Sequence, residues 1–279
     1  MKTILPLAAL AGLGLTGTAS AALVSTDLNA GGTESGFSAG WVGSSNIRIT
    51  TPGSDLTYAN YNITQTGTPG SVYSANTNHN DRMDSRNLSA AMSGDIWFSV
   101  LVNVPSLDHF AGISFDSDLT TGGVERYSHA LSELRVVLTP TSLVVDMDGG
   151  APPTATGGET GTFAAGTTHL ILGKMTVGVG NDSLSVWIDP DVIAAGGPGG
   201  LGAANFTSTT VDFMDSVSRI GVPIRDDSVV DDTAHVDAIR VSDTGTAFTD
   251  VTGVAIIPEP STTALLGLGG LALILRRRK

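Results

Sequence analysis

The sequence predicts an all-β protein built as an antiparallel β-sandwich. Apolar runs of strand length are bounded by Gly, Asp, Asn and Pro, and no long stretch has helical periodicity. Two pairs of runs are joined by the short turn sequences 139–141 (Thr-Pro-Thr) and 180–182 (Gly-Asn-Asp), which predict hairpins and therefore antiparallel pairing. Asp outnumbers Glu by 22 to 5, as is typical of loop-rich β proteins, because Asp favours turns whereas Glu favours helices.

Ten strands are predicted in chain order, at 23–29, 46–50, 95–104, 110–115, 133–138, 142–147, 168–179, 183–188, 217–222 and 236–241. This number fits one sandwich domain over residues 22–257, and no linker divides that range. Two Gly-rich stretches, 149–161 and 194–204, are interpreted as connections within the domain. The polar stretch 78–86 is predicted to be a long surface loop, with the lining of a sugar-binding groove as the functional alternative.

Residues 1–21 have the pattern of a signal peptide. Lys2 precedes an apolar run of 12 residues, 4–15, and the small residues Ala19 and Ala21 follow it. Such a run engages the export machinery but is too short to cross a bilayer, which takes about 20 residues. We expect signal peptidase to cut after Ala21, so that the protein is exported.

The C-terminal residues 258–279 form three consecutive parts. The first is Pro258, Glu259 and Pro260; the second is an uncharged stretch of 15 residues, 261–275; the third is Arg276, Arg277, Arg278 and Lys279. As a helix the stretch would reach about 22 Å at ~1.5 Å per residue, short of a hydrocarbon core about 30 Å thick. The terminal cations would stay on the cytoplasmic side. The pattern predicts a short transmembrane helix that serves as a temporary membrane stop, with a plain single-span anchor as the alternative.

These three parts, in this order, resemble the PEP-CTERM sorting signal. The resemblance implies processing by an exosortase, a membrane transpeptidase-like enzyme of Gram-negative bacteria that make extracellular polysaccharide. It implies transient association with the inner membrane and a final location at the cell surface or outside the cell. The expected processing partners are therefore signal peptidase and the exosortase.

The charge of the domain excludes one class of partner. Without both terminal segments, nine basic and 26 acidic residues remain, a formal charge of −17. An acidic surface repels phosphates, so nucleic acid is not expected as a partner. The absence of Cys excludes disulfides, thiolate nucleophiles and thiolate metal sites.

Several strand sequences from Asp95 onward resemble the concanavalin A-like, laminin-G-like jelly roll. They are the runs 97–102 (Trp-Phe-Ser-Val-Leu-Val), 186–190 (Val-Trp-Ile-Asp-Pro) and 237–240 (Asp-Ala-Ile-Arg). Some enzymes of this class are laminarinase-type glycosidases with two Glu and one Asp alternating on one strand. The four Glu of the mature chain do not fit that pattern, since no two are four apart: Glu34, Glu125, Glu133 and Glu159. No catalytic residue is predicted, and the chain is not expected to be an enzyme.

One acidic loop is a candidate calcium site. It contains Asp226, Asp227, Asp231 and Asp232. Calcium needs six to eight oxygen ligands, and clustered carboxylates can supply several of them. The spacing does not match an EF-hand, and a solvated acidic loop is the alternative interpretation.

Two functions fit these observations. The first is an exported surface or extracellular-matrix protein that binds carbohydrate of an exopolysaccharide or biofilm. The second is an extracellular polysaccharide-active hydrolase with an unrecognised site. Trp97 and Trp187 lie in apolar strands and are predicted to be core residues. The remaining aromatic candidates for sugar contacts are Trp41, Tyr58, Tyr61 and Tyr73.

Overall fold

The computed structural model describes residues 23–26, 41–43, 47–49, 55–63, 72–74, 81–105, 109–117, 133–147, 155–160, 163–225 and 234–256. These residues form fifteen strands: β1 Leu23–Thr26, β2 Trp41–Gly43, β3 Ile47–Ile49, β4 Val72–Ser74, β5 Asp81–Met92, β6 Gly94–Asn103, β7 Phe110–Asp116, β8 Leu134–Thr139, β9 Ser142–Met147, β10 Ala155–Thr160, β11 Thr168–Val177, β12 Ser183–Ile188, β13 Phe206–Ser208, β14 Val217–Arg225 and β15 His235–Ser242. Two short helices accompany them, α1 Val192–Ala195 and α2 Ala247–Thr252.

The strands form two antiparallel sheets. The first sheet has the order β13-β12-β11-β6-β15-β4-β3, and β1 also pairs with β15. The second sheet has the order β10-β9-β8-β7-β14-β5-β2. The chain crosses between the sheets on either side of β2, β5 and β14, from β6 to β7 and from β10 to β11. The prediction of an antiparallel β-sandwich of the jelly-roll type is confirmed.

The main core lies between the sheets. Alternate residues of β6 enter it, Phe98, Val100 and Val102, and they face alternate residues of the second sheet such as Ile113 and Phe115. The rings of Phe98 and Phe115 are 4.9 Å apart between centroids. Because successive side chains of a strand point to opposite faces, the residues between these core positions lie on the outer faces of the sandwich.

All ten predicted strands are present, and the structure adds five more. The largest correction concerns residues 78–86, which were predicted to be a loop. From Asp81 onward this stretch is the start of β5, which pairs with β14 in a continuous register from Arg225↔Asp81 to Arg219↔Asn87. A largely polar sequence can form a strand here because the backbone of β14 supplies the hydrogen-bond partners of the β5 backbone. The Gly-rich stretch 149–161 likewise contains β10, which pairs with β9.

The outer face of the first sheet carries a second apolar cluster. Trp97 and Leu101 of β6 and Leu170 and Leu172 of β11 lie on this face. Phe248 and Val251 of α2 cover part of it, and Leu56 and Tyr61 of the segment 55–63 cover another part. We call the segment 55–63 the strap. The strands β6, β11 and β15 of the first sheet are therefore buried on both faces.

Candidate functional site

The strap is held to the sandwich by four groups of hydrogen bonds. The backbone N–H of Leu56 donates to the Asp237 carboxylate at 2.9 Å, and the Tyr58 hydroxyl donates to the carbonyl oxygen of Asp189 at 2.7 Å. The Tyr61 hydroxyl lies 2.8 Å from the Ser99 hydroxyl. At the far end, Asn62 donates from its backbone to Thr252 O at 3.1 Å and from its side chain to Gly253 O at 2.9 Å. These bonds fix the strap against β6, β15 and α2.

A bulge in β15 places the Asp237 carboxylate under the strap. The pairing of β15 with β6 shifts register between Asp237 and Arg240, and Ala238 has a φ of 49°. A non-Gly residue in the left-handed region is uncommon, and a bulge redirects the side chains next to it. Asp237 is fully buried, and its carboxylate accepts from the N–H groups of Ala238 and Leu56. The strained backbone thus allows a buried carboxylate to anchor a surface segment.

A cavity of about 210 Å³ opens between the strap and the first sheet. Its lining combines two aromatic rings, one carboxylate and aliphatic groups, from Asp55, Leu56, Thr57, Tyr58, Tyr61, Ile63 and Leu101. This volume is below the roughly 300–1,000 Å³ of sites for drug-sized ligands, although the lining has the same combination of apolar surface and a few polar groups. We call this cavity the strap pocket. The Tyr58 hydroxyl is bonded to Asp189 O and the Tyr61 hydroxyl to Ser99, so the two side chains contribute mainly aromatic surface to the pocket.

Two carboxylates lie near the Tyr58 hydroxyl at the edge of the strap pocket. Burial raises the pKa of the Tyr58 hydroxyl, and the charges of Asp189 and Asp191 raise it further. Asp55 adds a half-buried carboxylate to the lining, and the described lining residues include neither Lys nor Arg. Arg240 lies nearby on β15, but it is 4% exposed, donates to Ile239 O and does not line the pocket.

His169 connects the pocket to the turn before β11. Its Nδ1 is 2.6 Å from the Asp189 carboxylate, while its Nε2 is 3.1 Å from the carbonyl oxygen of Ala164 and 3.0 Å from the Thr167 hydroxyl. Burial lowers the His169 pKa, but the hydrogen bond and charge of Asp189 and the Ala164 carbonyl outweigh it, so the pKa is raised. Because each ring nitrogen has a hydrogen-bond acceptor, the imidazole links Asp189 to the turn at Ala164 and is not placed to act as a general base. We call this link between Asp189, His169 and Ala164 the clasp.

The outer face of the second sheet carries charged side chains that pair with each other. The Arg135 Nε of β8 donates to Asp146 of β9 at 2.7 Å, and its Nη2 contacts the same oxygen. Arg219 of β14 lies 3.6 Å from the Asp116 carboxylate and donates to Asn87 at 3.0 Å. Both arginines and both carboxylates are less than a tenth exposed. Because these charges compensate each other, a ligand would have to break buried ion pairs to use them.

The structure brings together two of the four aromatic candidates. Tyr58 and Tyr61 line the same pocket, whereas the side chains of Trp41 and Tyr73 lie outside the described part of the structure. Trp97 is buried under Phe248, as expected of a core residue, whereas Trp187, which stacks on it with ring centroids 5.9 Å apart, is only half-buried. The analysis of the sequence missed Asp55 and Asp237, since only the fold shows that residues 181 positions apart, Leu56 and Asp237, meet.

The predicted processing and calcium sites lie outside the described residues. This holds for Ala19, Ala21, the segment 257–279 and the acidic residues Asp226, Asp227, Asp231 and Asp232. Across the ranges that the structure describes, no three His, Asp or Glu side chains are grouped as metal ligands. Nor does that part of the chain contain a helix long and apolar enough to span a membrane. The predictions about these sites stay predictions.

The comparison with protein families identifies the C-terminal segment. Residues 257–279 match the PEP-CTERM protein-sorting motif. The match covers Pro258, Glu259 and Pro260, the uncharged stretch and the terminal cations, where the sequence resemblance placed the signal. Among curated proteins, none matches this chain in sequence.

Similar solved structures include three proteins of carbohydrate biology. The carbohydrate recognition domain of Emp47p is 13% identical, with 71% of this chain and 87% of its own covered at a TM-score of 0.42. The Bacillus licheniformis beta-glucanase is 10% identical over 80% of this chain and 98% of its own, with a TM-score of 0.44. The module CBM66 from Bacillus subtilis is 10% identical over 72% and 94%, with a TM-score of 0.38. Values this low carry no argument about what this chain binds.

Proposed function

We propose that this chain is an exported, non-catalytic surface or extracellular-matrix protein that is sorted by an exosortase. The PEP-CTERM motif over residues 257–279 supports the sorting step. In this proposal signal peptidase cuts after Ala21, and the uncharged stretch 261–275 holds the precursor in the inner membrane. The exosortase then cuts near Pro258, Glu259 and Pro260, which lie just beyond the last described residue of the domain.

Replacing Pro258, Glu259 and Pro260 by Ala tests the sorting step. Export should continue, but the protein should remain in the inner membrane with its C-terminal segment attached. The measurement is cell fractionation with mass spectrometry of the C-terminus. Deletion of the host's exosortase should give the same fractionation. If the triple variant is still released without its tail, the three residues are not the recognition element.

The same proposal assigns carbohydrate binding to the strap pocket. The observation that carries it is that Tyr58, Tyr61 and the Asp55 carboxylate line the same cavity of about 210 Å³. An aromatic face offers a flat apolar surface for the C–H side of a sugar ring, and a carboxylate accepts hydrogen bonds from its hydroxyls. The buried charges of the second sheet form ion pairs, which a ligand would have to break to use them.

Two variants of Tyr58 test this assignment on the full-length protein. Tyr58→Ala removes the ring, whereas Tyr58→Phe keeps the ring and removes only the hydroxyl bond to Asp189 O. Binding to the host's extracellular polysaccharide, measured by affinity electrophoresis, should fall at least tenfold in Tyr58→Ala and stay near wild type in Tyr58→Phe. Equal binding by all three proteins would remove the pocket from the proposal.

The non-catalytic part of the proposal rests on the pairing of the buried carboxylates. Asp116 and Asp146 bond to arginines, and Asp237 accepts two backbone N–H groups. A glycosidase needs a second carboxyl group that can carry a proton toward the substrate. Incubation with the host's polysaccharide should therefore release no reducing ends. A catalytic rate that Asp55→Asn abolishes would favour the hydrolase alternative instead.

A further inference from the structure

Exposed apolar side chains lie where the chain leaves the domain. Among the described residues, the large apolar side chains that are exposed are Leu23, Val179, Ile193 and Ile256. Ile256 is the last described residue, and its Cγ2 atom lies 3.8 Å from the position that a Cβ on Gly197 would occupy. Ile193 precedes Gly197 by four residues, in α1, and Pro198 follows it and is exposed. We call the side chains of Ile193, Pro198 and Ile256 the exit patch.

The two stretches that form the exit patch contain no charged residue. Residues 192–204 and 251–257 include neither Asp, Glu, Lys nor Arg, although the domain as a whole has a formal charge of −17. The first charged residues before them are Asp191 and Asp250, whose carboxylates accept hydrogen bonds from an N–H group and a hydroxyl of the protein itself. The exit of the chain is therefore a neutral, partly apolar area on an acidic domain.

The place of the exit limits how far the domain can lie from the membrane, and this step rests on the proposed sorting function. The chain is held to the domain as far as Val254, which packs against the outer apolar cluster. Ser261, where the uncharged stretch begins, is five residues after Ile256. An extended chain spans at most about 3.6 Å per residue, so this connection reaches at most about 18 Å. The headgroup region takes up about 5–8 Å of that reach. While the stretch 261–275 is in the bilayer, the exit patch therefore lies close to the lipid headgroups.

A lipid surface suits the chemistry of the exit patch. Exposed apolar area next to polar surface is typical of sites that contact membranes or other proteins. A charged surface that approaches a bilayer loses hydration at a cost in free energy, and the exit patch carries no charge to desolvate. Its apolar area is small, and even a single acyl chain gives only reversible membrane binding. The contact thus depends on the uncut tail.

We propose that the exit patch lies against the headgroup layer of the inner membrane while the uncut tail anchors the precursor, and that it leaves the membrane when the exosortase cuts. This contact turns the outer face of the first sheet toward the bilayer. It also keeps the segment 257–260 at the membrane surface, where a membrane enzyme can reach it.

A lipid-quenching experiment tests the contact directly. The chain has no Cys, so a single introduced Cys is its only thiol and can carry an environment-sensitive fluorophore. Ile193→Cys reports on the exit patch. Val179→Cys is the control, because Val179 is fully exposed and lies in the turn before β12, whereas α1 follows the end of β12. Precursor from a host strain without the exosortase is placed in phosphatidylcholine vesicles that contain a spin-labelled phosphatidylcholine. Quenching should be at least threefold greater at position 193 than at position 179.

A matched pair of charge variants tests whether the contact assists processing. Ile193→Asp and Val179→Asp make the same change in net charge at two exposed positions, so both proteins should keep the melting temperature of wild type. Release by the exosortase, followed by pulse–chase labelling in the host, should be at least threefold slower in Ile193→Asp and unchanged in Val179→Asp. The reason is that a carboxylate in the exit patch would lose hydration against the lipid.

The possible contrary results separate this inference from the sorting proposal. Equal quenching at positions 193 and 179 in membrane-bound precursor would overturn the lipid contact and leave the sorting signal in place. A photo-crosslink from position 193 to the exosortase in host membranes, with no lipid quenching in vesicles, would assign the exit patch to the enzyme and overturn the inference as well. If the strain without the exosortase does not keep the precursor in its membrane, the sorting proposal itself fails.

Discussion

The two outer faces of the sandwich are protected in different ways. On the first sheet the outward side chains are large and apolar, and the strap and α2 cover them. On the second sheet the outward side chains include Arg135, Asp146, Asp116 and Arg219, which are buried in cross-strand ion pairs. Segments from distant parts of the chain cover the first face, whereas ion pairs between neighbouring strands lie on the second.

This difference explains why the pocket lies on the first sheet. A covering segment that touches a sheet at a few anchor points leaves space between those points, and the strap pocket is such a space. On the second sheet, register sets the distance between the paired side chains of adjacent strands. The covered face of the first sheet is therefore the one that can vary with its covering segments. The strained backbone at Ala238 lies in β15 of the same sheet.

The largest effect should come from breaking a charge pair on the second sheet. Asp146→Leu leaves Arg135 buried without its carboxylate and should lower the free energy of unfolding by about 3–5 kcal/mol. The double variant Arg135→Met with Asp146→Leu should recover most of this loss, since an apolar pair needs no charge compensation. Urea denaturation measures both. If the double variant is as unstable as the single one, packing rather than charge holds this face.

On the covered face of the first sheet, Gly253→Ala, just after α2, should be strongly destabilising. Gly253 has a φ of 70°, and a Cβ there would lie 2.1 Å from the carbonyl oxygen of Asn62 in the strap. We expect a loss of about 2–3 kcal/mol, from backbone strain and displacement of the strap. Polysaccharide binding should fall with it. The control is Gly245→Ala, where the added Cβ meets no atom within 4 Å and stability should hardly change.

Substitutions of Ala238 test the strain in the β15 bulge. Ala238→Val should destabilise the protein by about 2 kcal/mol, because a β-branched side chain is poorly tolerated at positive φ and the site is fully buried. Ala238→Gly should stay within about 1 kcal/mol of wild type. Its relief of about 1–2 kcal/mol of strain opposes the loss of a buried methyl group and the added flexibility of Gly. Thermal unfolding of both variants gives the comparison, and equal destabilisation would show that φ is not limiting.

The smallest effect should be the pH dependence of the clasp at His169. Its pKa is raised above 6.5, so the stability that it contributes is complete below pH 6.5 and is lost as the pH rises through the folded-state pKa. Burial lowers the pKa of His235, so its contribution has the opposite sign and is lost as the pH falls below 6.5. Melting temperatures between about pH 5 and pH 9 should fall less with rising pH in His169→Gln than in wild type. In His235→Gln they should fall more. Parallel curves for all three proteins would contradict the clasp.

The strands were predictable because their signal is local. Alternating runs such as β6 and β11 have one residue for each face, and the turn sequences at 139–141 and 180–182 identify the hairpins. β5 was missed because its residues are polar at most positions. Only its pairing with β14 shows that it is a strand. Pairing between segments more than a hundred residues apart gives no recognisable pattern in the sequence of either segment.

The candidate site was predictable only in part, for the same reason. Tyr58 and Tyr61 could be selected from composition alone, since few aromatic residues were free of apolar strands. Nothing near them in the sequence indicates that Leu56 bonds to Asp237, that Tyr61 meets Ser99 or that the strap ends on Gly253. These contacts depend on the bulge at Ala238 and on the docking of α2, which are properties of the packed sheet.

The sequence by itself determined the class of fold, the hairpins and the sorting motif at 257–279, because each is encoded in consecutive residues or in a short period. Only the tertiary structure decided that the strap and α2 cover the outer face of the first sheet and that buried ion pairs lie on the outer face of the second. It also decided that a cavity remains between the strap and the first sheet. Such outcomes depend on distances between residues far apart in the chain. Those distances are fixed only when the two sheets pack and the strap and α2 dock on the first of them.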